Sequence, residues 1–248
     1  MAYDDRIPSP YGRQGLSEAI AGFWTPRRLV FPFFLIFSIW VVFAGWSAGL
    51  VDPDYYWHLK AGELIWQAGA LPDGDPFSWT FEGQPWVLHE WLFQVCLHLL
   101  HEAVGPAGVA LATSLLLAIA WYLAFSVADG FIHRPLVSFG LAVAFGGGIV
   151  AAAAPRPHMI SILFFAILLA MFFRAKYRRR PLGLLLVPIL MLPWVNMHGG
   201  FALGVAVMVA LAGMEWLNLF GRPELRNRGQ LWFCVVLSVA AALKGDLK

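Results

Sequence analysis

The stretch "LVFPFFLIFSIWVVFAGWSAGL", residues 29–50, carries no charge over twenty-two residues. A helix needs roughly 20 apolar residues to cross the hydrocarbon core of a bilayer, so this stretch reads as a first transmembrane span. Ser47, Ala48 and Gly49 resemble the small residues of a signal-peptide cleavage site, but the apolar core of a signal peptide runs only about 7–15 residues. The segment reads as retained. The rest of the chain agrees: of its 248 residues 60% are hydrophobic and 13% charged, against about a quarter charged in soluble domains. The mean hydropathy is +0.68. The expectation is an all-α, polytopic transmembrane bundle in a cell (inner) membrane.

Further spans are expected over residues 106–128, 135–154 and 157–173. Between Arg180 and Glu215 an apolar stretch is broken by "NMHGG", residues 196–200, a polar glycine turn that predicts a hairpin of two short spans. Residues 231–243 are apolar but too few to cross unless flanking residues join or the bilayer thins, so the count is six or seven spans. The layout is a tail over 1–28 and a membrane module over 29–248, with a first loop over 51–105.

Sidedness follows from Lys and Arg. With the N-terminus in the cytoplasm, thirteen of the seventeen basic residues fall inside, including the cluster "RAKYRRR", residues 174–180. Lys60 and Arg156 fall outside, as the positive-inside rule expects of such a chain. The net charge of +2 and the absence of a basic stripe argue against nucleic acid as a partner. Cys96 and Cys234 lie in separate apolar stretches and suggest neither a disulfide framework nor a metal knuckle.

This orientation collects polar residues on the outer face. The first loop holds eight of the fifteen acidic residues. It opens on "DPDYYWHL", where Asp52 and Asp54 flank Pro53, expected to hold the backbone extended so that both carboxylates enter one polar volume. Loop aspartates are common, yet ionisable groups at membrane depth are candidates for function. "YYWHLKAGELIWQAG" reads as a short amphipathic helix and "PDGDPFSWTFEGQPW" as turn-rich coil in which Asp73 and Asp75 are foremost turn residues. "VLHEWLFQVCLHLLHEAV" places Glu90, Gln94, His98, His101 and Glu102 on one stripe of an interfacial helix, with the "HLLHE" portion expected to face solvent.

Two short outer turns add to the set. In "PRPH", Arg156 is suited to pair with a carboxylate or grip a phosphate in bidentate fashion, or else to reach lipid phosphates, and His158 lies beside it. In "NMHGG", Asn196 and His198 enter a Gly-Gly turn that either binds a polar substrate or closes a self-satisfied helix junction. The zinc-protease order, the serine-hydrolase elbow and the phosphate loop are absent.

Taken together, "DPDYYWHLKAGELI", "DPFSW", "PWVLHEWL", "RPH" and "NMHGGF" resemble a group of bacterial multi-span proteins described as glycosyltransferase-like. More broadly the chain is similar to the GT-C membrane glycosyltransferases that use polyprenyl-phosphate sugars, whose first outer loop opens on an acidic motif of the form D-E-x-Y-Y-W. Here Pro53 stands where that family often has Glu, and the chain is shorter than such enzymes usually are. The resemblance implies sugar transfer from a polyprenyl-phosphate donor to an acceptor on the extracytoplasmic face. It makes Asp52 the base that deprotonates the acceptor, with Asp54 assisting, and Asp52 and Asp54 as ligands of any divalent cation, Mg²⁺ or Mn²⁺. His58, Glu90, Arg156, His158, Asn196 and His198 then bind substrate. The alternative is a non-catalytic membrane subunit, or a truncated GT-C module acting with a partner subunit. A transporter would place ionisable groups at mid-membrane in repeated halves, and no repeat is found.

Overall fold

A computed structural model describes residues 26–47, 53–150, 154–177, 181–219 and 228–245. Among them the chain is all-α, with eight α-helices: α1 Pro26–Ser47, α2 Asp54–Ala68, α3 Trp91–Ile132, α4 Pro135–Val150, α5 Pro157–Tyr177, α6 Val187–Met197, α7 Phe201–Trp216 and α8 Arg228–Gly245. A 3₁₀ turn, Pro181–Leu186, leads into α6. Three helices, α1, α3 and α5, are long and apolar enough to cross a membrane, while α4, α6, α7 and α8 are apolar but shorter.

The expected boundary between interfacial helix and second span falls inside α3. Gly105 takes φ 68°, ψ −176°, breaking the helix just before Pro106. Only glycine adopts that conformation readily, and proline cannot donate back to the preceding turn, so the two residues together impose the kink. The hairpin turn also falls where "NMHGG" places it: α6 ends at Met197 and α7 begins at Phe201.

The bundle has an inverted surface. Large apolar side chains such as Ile36, Trp40, Leu136, Leu203 and Val236 stand outward on the helices, as they do in a protein whose solvent is lipid. Three apolar clusters hold the interior. Phe34, Leu117 and Trp121 join α1, α3 and α4 to the start of α5. Leu168, Phe172, Met191, Trp194 and Cys234 join α5 to the last three helices. Tyr55, Phe93, Leu97 and Val109 seat α2 on α3, with Ile160 and Met197 packed against them. This third cluster brings the first loop onto the start of α5 and the end of α6.

Two local expectations are corrected. Pro53 is not extended: at φ −58°, ψ −26° it occupies helical space and starts α2, a role that its fixed φ suits. Nor does the "HLLHE" portion of α3 face solvent as expected, and the rest of the stripe is buried or half-buried too. Gln94 is buried, and His98 and His101 are half-buried against α2; only Glu102 is exposed. Tyr55 Oη lies 2.7 Å from His101 Nδ1. The first half of α3 turns its polar side toward hydrogen-bonding partners in α2. Of the cysteines, Cys234 is buried and donates to Leu184 O at 3.1 Å, whereas Cys96 is exposed.

Candidate active site at the α2 end of the bundle

Asp54 begins α2 and Arg156 sits in the turn before α5. Arg156 Nη2 donates to Asp54 Oδ2, tying the first loop to the start of the third long helix. The pair is partly exposed, with side chains 34% and 43% accessible, so it fixes position more than it stabilises. Asp52, expected as its neighbour, lies outside the described residues.

Glu90 occupies the centre. It is the residue just before α3, and its two oxygens face two imidazoles: Oε2 is 3.9 Å from His58 Nε2 and Oε1 is 3.9 Å from His198 Nε2. These separations are too long for hydrogen bonds. The carboxylate therefore stands among charge-bearing groups without being engaged by either ring. Burial pushes its pKa up, and Asp54 pushes it further; His89 and Arg156 act in the opposite sense. Glu90 thus holds a proton to higher pH than an ordinary glutamate does.

His198 is held by a chain of hydrogen bonds whose directions fix its tautomer. Trp194 Nε1 can only donate, and it does so to Ser161 Oγ at 2.7 Å. Ser161 Oγ lies 2.7 Å from His198 Nδ1, and because the Gly200 N–H donates to that same nitrogen, Ser161 gives its own proton to it. The Gly200 backbone N–H also points at Nδ1, at 3.0 Å. With two donors aimed at it, Nδ1 is an acceptor and the ring proton resides on Nε2, toward Glu90. Burial and the neighbouring His158 lower the pKa of His198, which keeps the ring neutral. A Cβ at position 200 would collide with Ser161 Oγ, so the second glycine of "NMHGG" is what lets the turn close on this chain.

On the other flank His58 is buried on α2, with its Nδ1 3.3 Å from Gln94 Nε2. Asn196 accepts from Trp91 Nε1 at 2.9 Å and donates to Leu192 O at 2.8 Å, so it anchors the tryptophan beside Glu90. His158 lines a groove together with Ser161 and His198. The structure thus gathers Asp54, His58, Glu90, Arg156, His158 and His198 at one end, and gives Asn196 a positioning role. Ser161, Trp194, Trp91 and Gln94 were not singled out from sequence as site residues. Ser161 stands one turn after His158 and Trp194 one turn before His198, a spacing that marks the same helical face.

As for a metal, no group of three or more His, Cys, Asp and Glu is placed to hold one among the described residues. Asp54 is engaged by Arg156, and His198 turns an N–H, not a lone pair, toward the centre. These described donors do not form a ligand set, and Asp52, the other expected ligand, lies outside the described residues.

The groove has a volume of about 610 Å³ and apolar walls from α3, α5 and α7, including Ala124, Ile162, Ala166, Leu169 and Leu203. It runs along α5 from His158 to Leu169, a rise of about 16 Å. Its polar residues gather where it meets the cluster around Glu90. The chain matches no protein-family model, no curated protein and no solved structure, so its own residues carry the functional reading.

Proposed function

We propose that the protein is a membrane glycosyltransferase of GT-C type, moving a sugar from a polyprenyl-phosphate donor to an acceptor hydroxyl at the outer face of a cell membrane. The observation that carries this reading is the junction of an apolar groove with a cluster of Arg156, Glu90, His158 and His198. A long apolar chain fits the groove, and a charged head with hydroxyls fits the cluster. The proposal includes six or seven spans, an N-terminus in the cytoplasm and the α2 end outside, from the distribution of Lys and Arg.

In this scheme the acceptor oxygen attacks the anomeric carbon as the bond from that carbon to the phosphate oxygen breaks. The acceptor proton passes to a carboxylate. The leaving phosphate gathers charge that Arg156, fixed by Asp54, and the ring N–H groups of the site offset. The resemblance assigns the base to Asp52. Among the described residues Glu90 is the carboxylate that stands between two imidazoles, 3.9 Å from each, and its raised pKa suits a general base. We assign the base to Glu90, with His58 and His198 as its orienting neighbours.

The test is turnover of polyprenyl-phosphate sugars by protein reconstituted in liposomes, comparing wild type with Glu90→Gln and Asp52→Asn. Glu90→Gln is expected to remove turnover while leaving assembly intact. Loss with Asp52→Asn alone would return the base to Asp52. No turnover of any donor by wild type would favour the non-catalytic subunit.

A further inference from the structure

At the other end of the long helices lies a second cavity, of about 660 Å³, between the start of α1 and the ends of α3 and α5. The proposed reaction does not use it. Three basic side chains line it, Arg27, His133 and Arg174, against one acidic side chain, Asp129. Arg27 Nε donates to Asp129 Oδ2 at 2.8 Å, yet the arginine side chain stays 58% accessible, which leaves its η nitrogens open to a further acceptor. Arg174 is exposed, and no carboxylate pairs with it among the described residues. The Asp129 side chain is only 11% accessible and its Oδ1 is buried. The cavity therefore presents guanidinium N–H groups and almost no carboxylate surface.

The charge count favours an anion. Two arginines stand against one aspartate, and His133 adds to the positive side whenever it is protonated. The planar N–H forks of the arginines match phosphate oxygens. An ammonium would find little to receive it, since the one carboxylate is covered and the aromatic walls are engaged with one another. Phe131 packs edge-on against Phe173 and Tyr177, with centroids 5.0 and 4.9 Å apart, and Tyr177 already carries Lys176 Nζ at 5.6 Å from its centre. A net-anionic ligand is thus preferred to a zwitterion. Position argues for a lipid. Arg27 lies in the first turn of α1 and Arg174 in the last turn of α5, two helices long and apolar enough to span, so both stand at the level where basic pockets between helices hold anionic lipid heads.

We propose that this cavity is a headgroup site for an anionic phospholipid of the leaflet at the Arg27 end, with its phosphate held between Arg27 and Arg174.

The test is native mass spectrometry of the full chain in detergent with dioleoyl-phosphatidylglycerol and dioleoyl-phosphatidylcholine at equal concentration. The glycerol lipid should be retained about tenfold over the choline lipid, the ratio set by one hydrogen bond to a charged group. Arg174→Gln should erase that preference. Arg134→Gln removes the same charge just beyond α3 but outside the cavity, and should leave the ratio at its wild-type value. Both variants replace exposed side chains, so the fold survives them. Equal retention of the two lipids by wild type, or equal losses in the two variants, would overturn the proposal. Displacement of the lipid by sn-glycerol 3-phosphate at matched concentration would overturn the lipid assignment in favour of a soluble phosphate ester.

Discussion

An arginine meets an aspartate at each end of the long helices, Arg156 with Asp54 at one and Arg27 with Asp129 at the other, and the two ends differ in what surrounds the pair. Around Arg156 stand Glu90, His158 and His198, with a relay from Trp194 through Ser161 that sets the protonation of one ring. Around Arg27 stand aromatic walls and a buried oxygen left without a donor. A partly exposed ion pair contributes little stability by itself. Its neighbours decide what chemistry the pair can take part in.

The comparison breaks most visibly in turnover. Glu90→Gln should lower it by about 10²–10⁴-fold, the range of a lost general base, whereas Asp129→Asn should leave it unchanged. Equal losses would mean that the ends are not separate. A third pair, Lys176 with Glu215 at 2.7 Å, is the contrast in stability, because its side chains are 0% and 2% accessible. Lys176→Met should cost about 3–5 kcal/mol in an unfolding measurement by stranding a buried charge, and adding Glu215→Leu should recover most of it. Arg156→Gln should cost no more than about 1 kcal/mol in the same measurement.

Smaller effects sharpen the account of the α2 end. Ser161→Ala removes one donor to His198 and should lower turnover by about tenfold, in line with a lost hydrogen bond, and should also cost about 1–3 kcal/mol in unfolding because the buried Trp194 Nε1 loses its acceptor. The pH profile follows from the raised pKa of Glu90. A base must be ionised to act, so turnover should climb with pH through a midpoint above the ordinary glutamate value. In Asp54→Asn the negative neighbour is gone while Arg156 remains, and both facts favour the carboxylate. The acid limb should therefore move to lower pH in a pH–rate series.

Much of the helix plan was readable from sequence because the bilayer imposes a length: the apolar run around α1, the Gly105–Pro106 break and the "NMHGG" turn are each local signals. The site was legible in part. Glu90, Arg156 and His198 stood out as polar residues at helix ends, but their convergence depends on α2 folding back onto α3, which no local pattern dictates. The polar stripe of α3 misled for a related reason. An exposed polar face and a face packed on a polar partner have the same periodicity, so His101 was assigned to water and found in α2's company. Pro53 was likewise ambiguous, because its fixed φ serves an extended segment and a helix start alike.

The junction of groove and cluster is tested most directly by lipid binding. Protein in nanodiscs is titrated with polyprenyl phosphate and with the matching polyprenol, for wild type, Arg156→Gln and Ala166→Phe. The phosphate lipid should bind wild type more tightly than the alcohol, lose that advantage in Arg156→Gln, and bind weakly to Ala166→Phe, whose ring fills the groove. Equal binding of phosphate and alcohol by wild type, or undiminished binding to Ala166→Phe, would contradict the account.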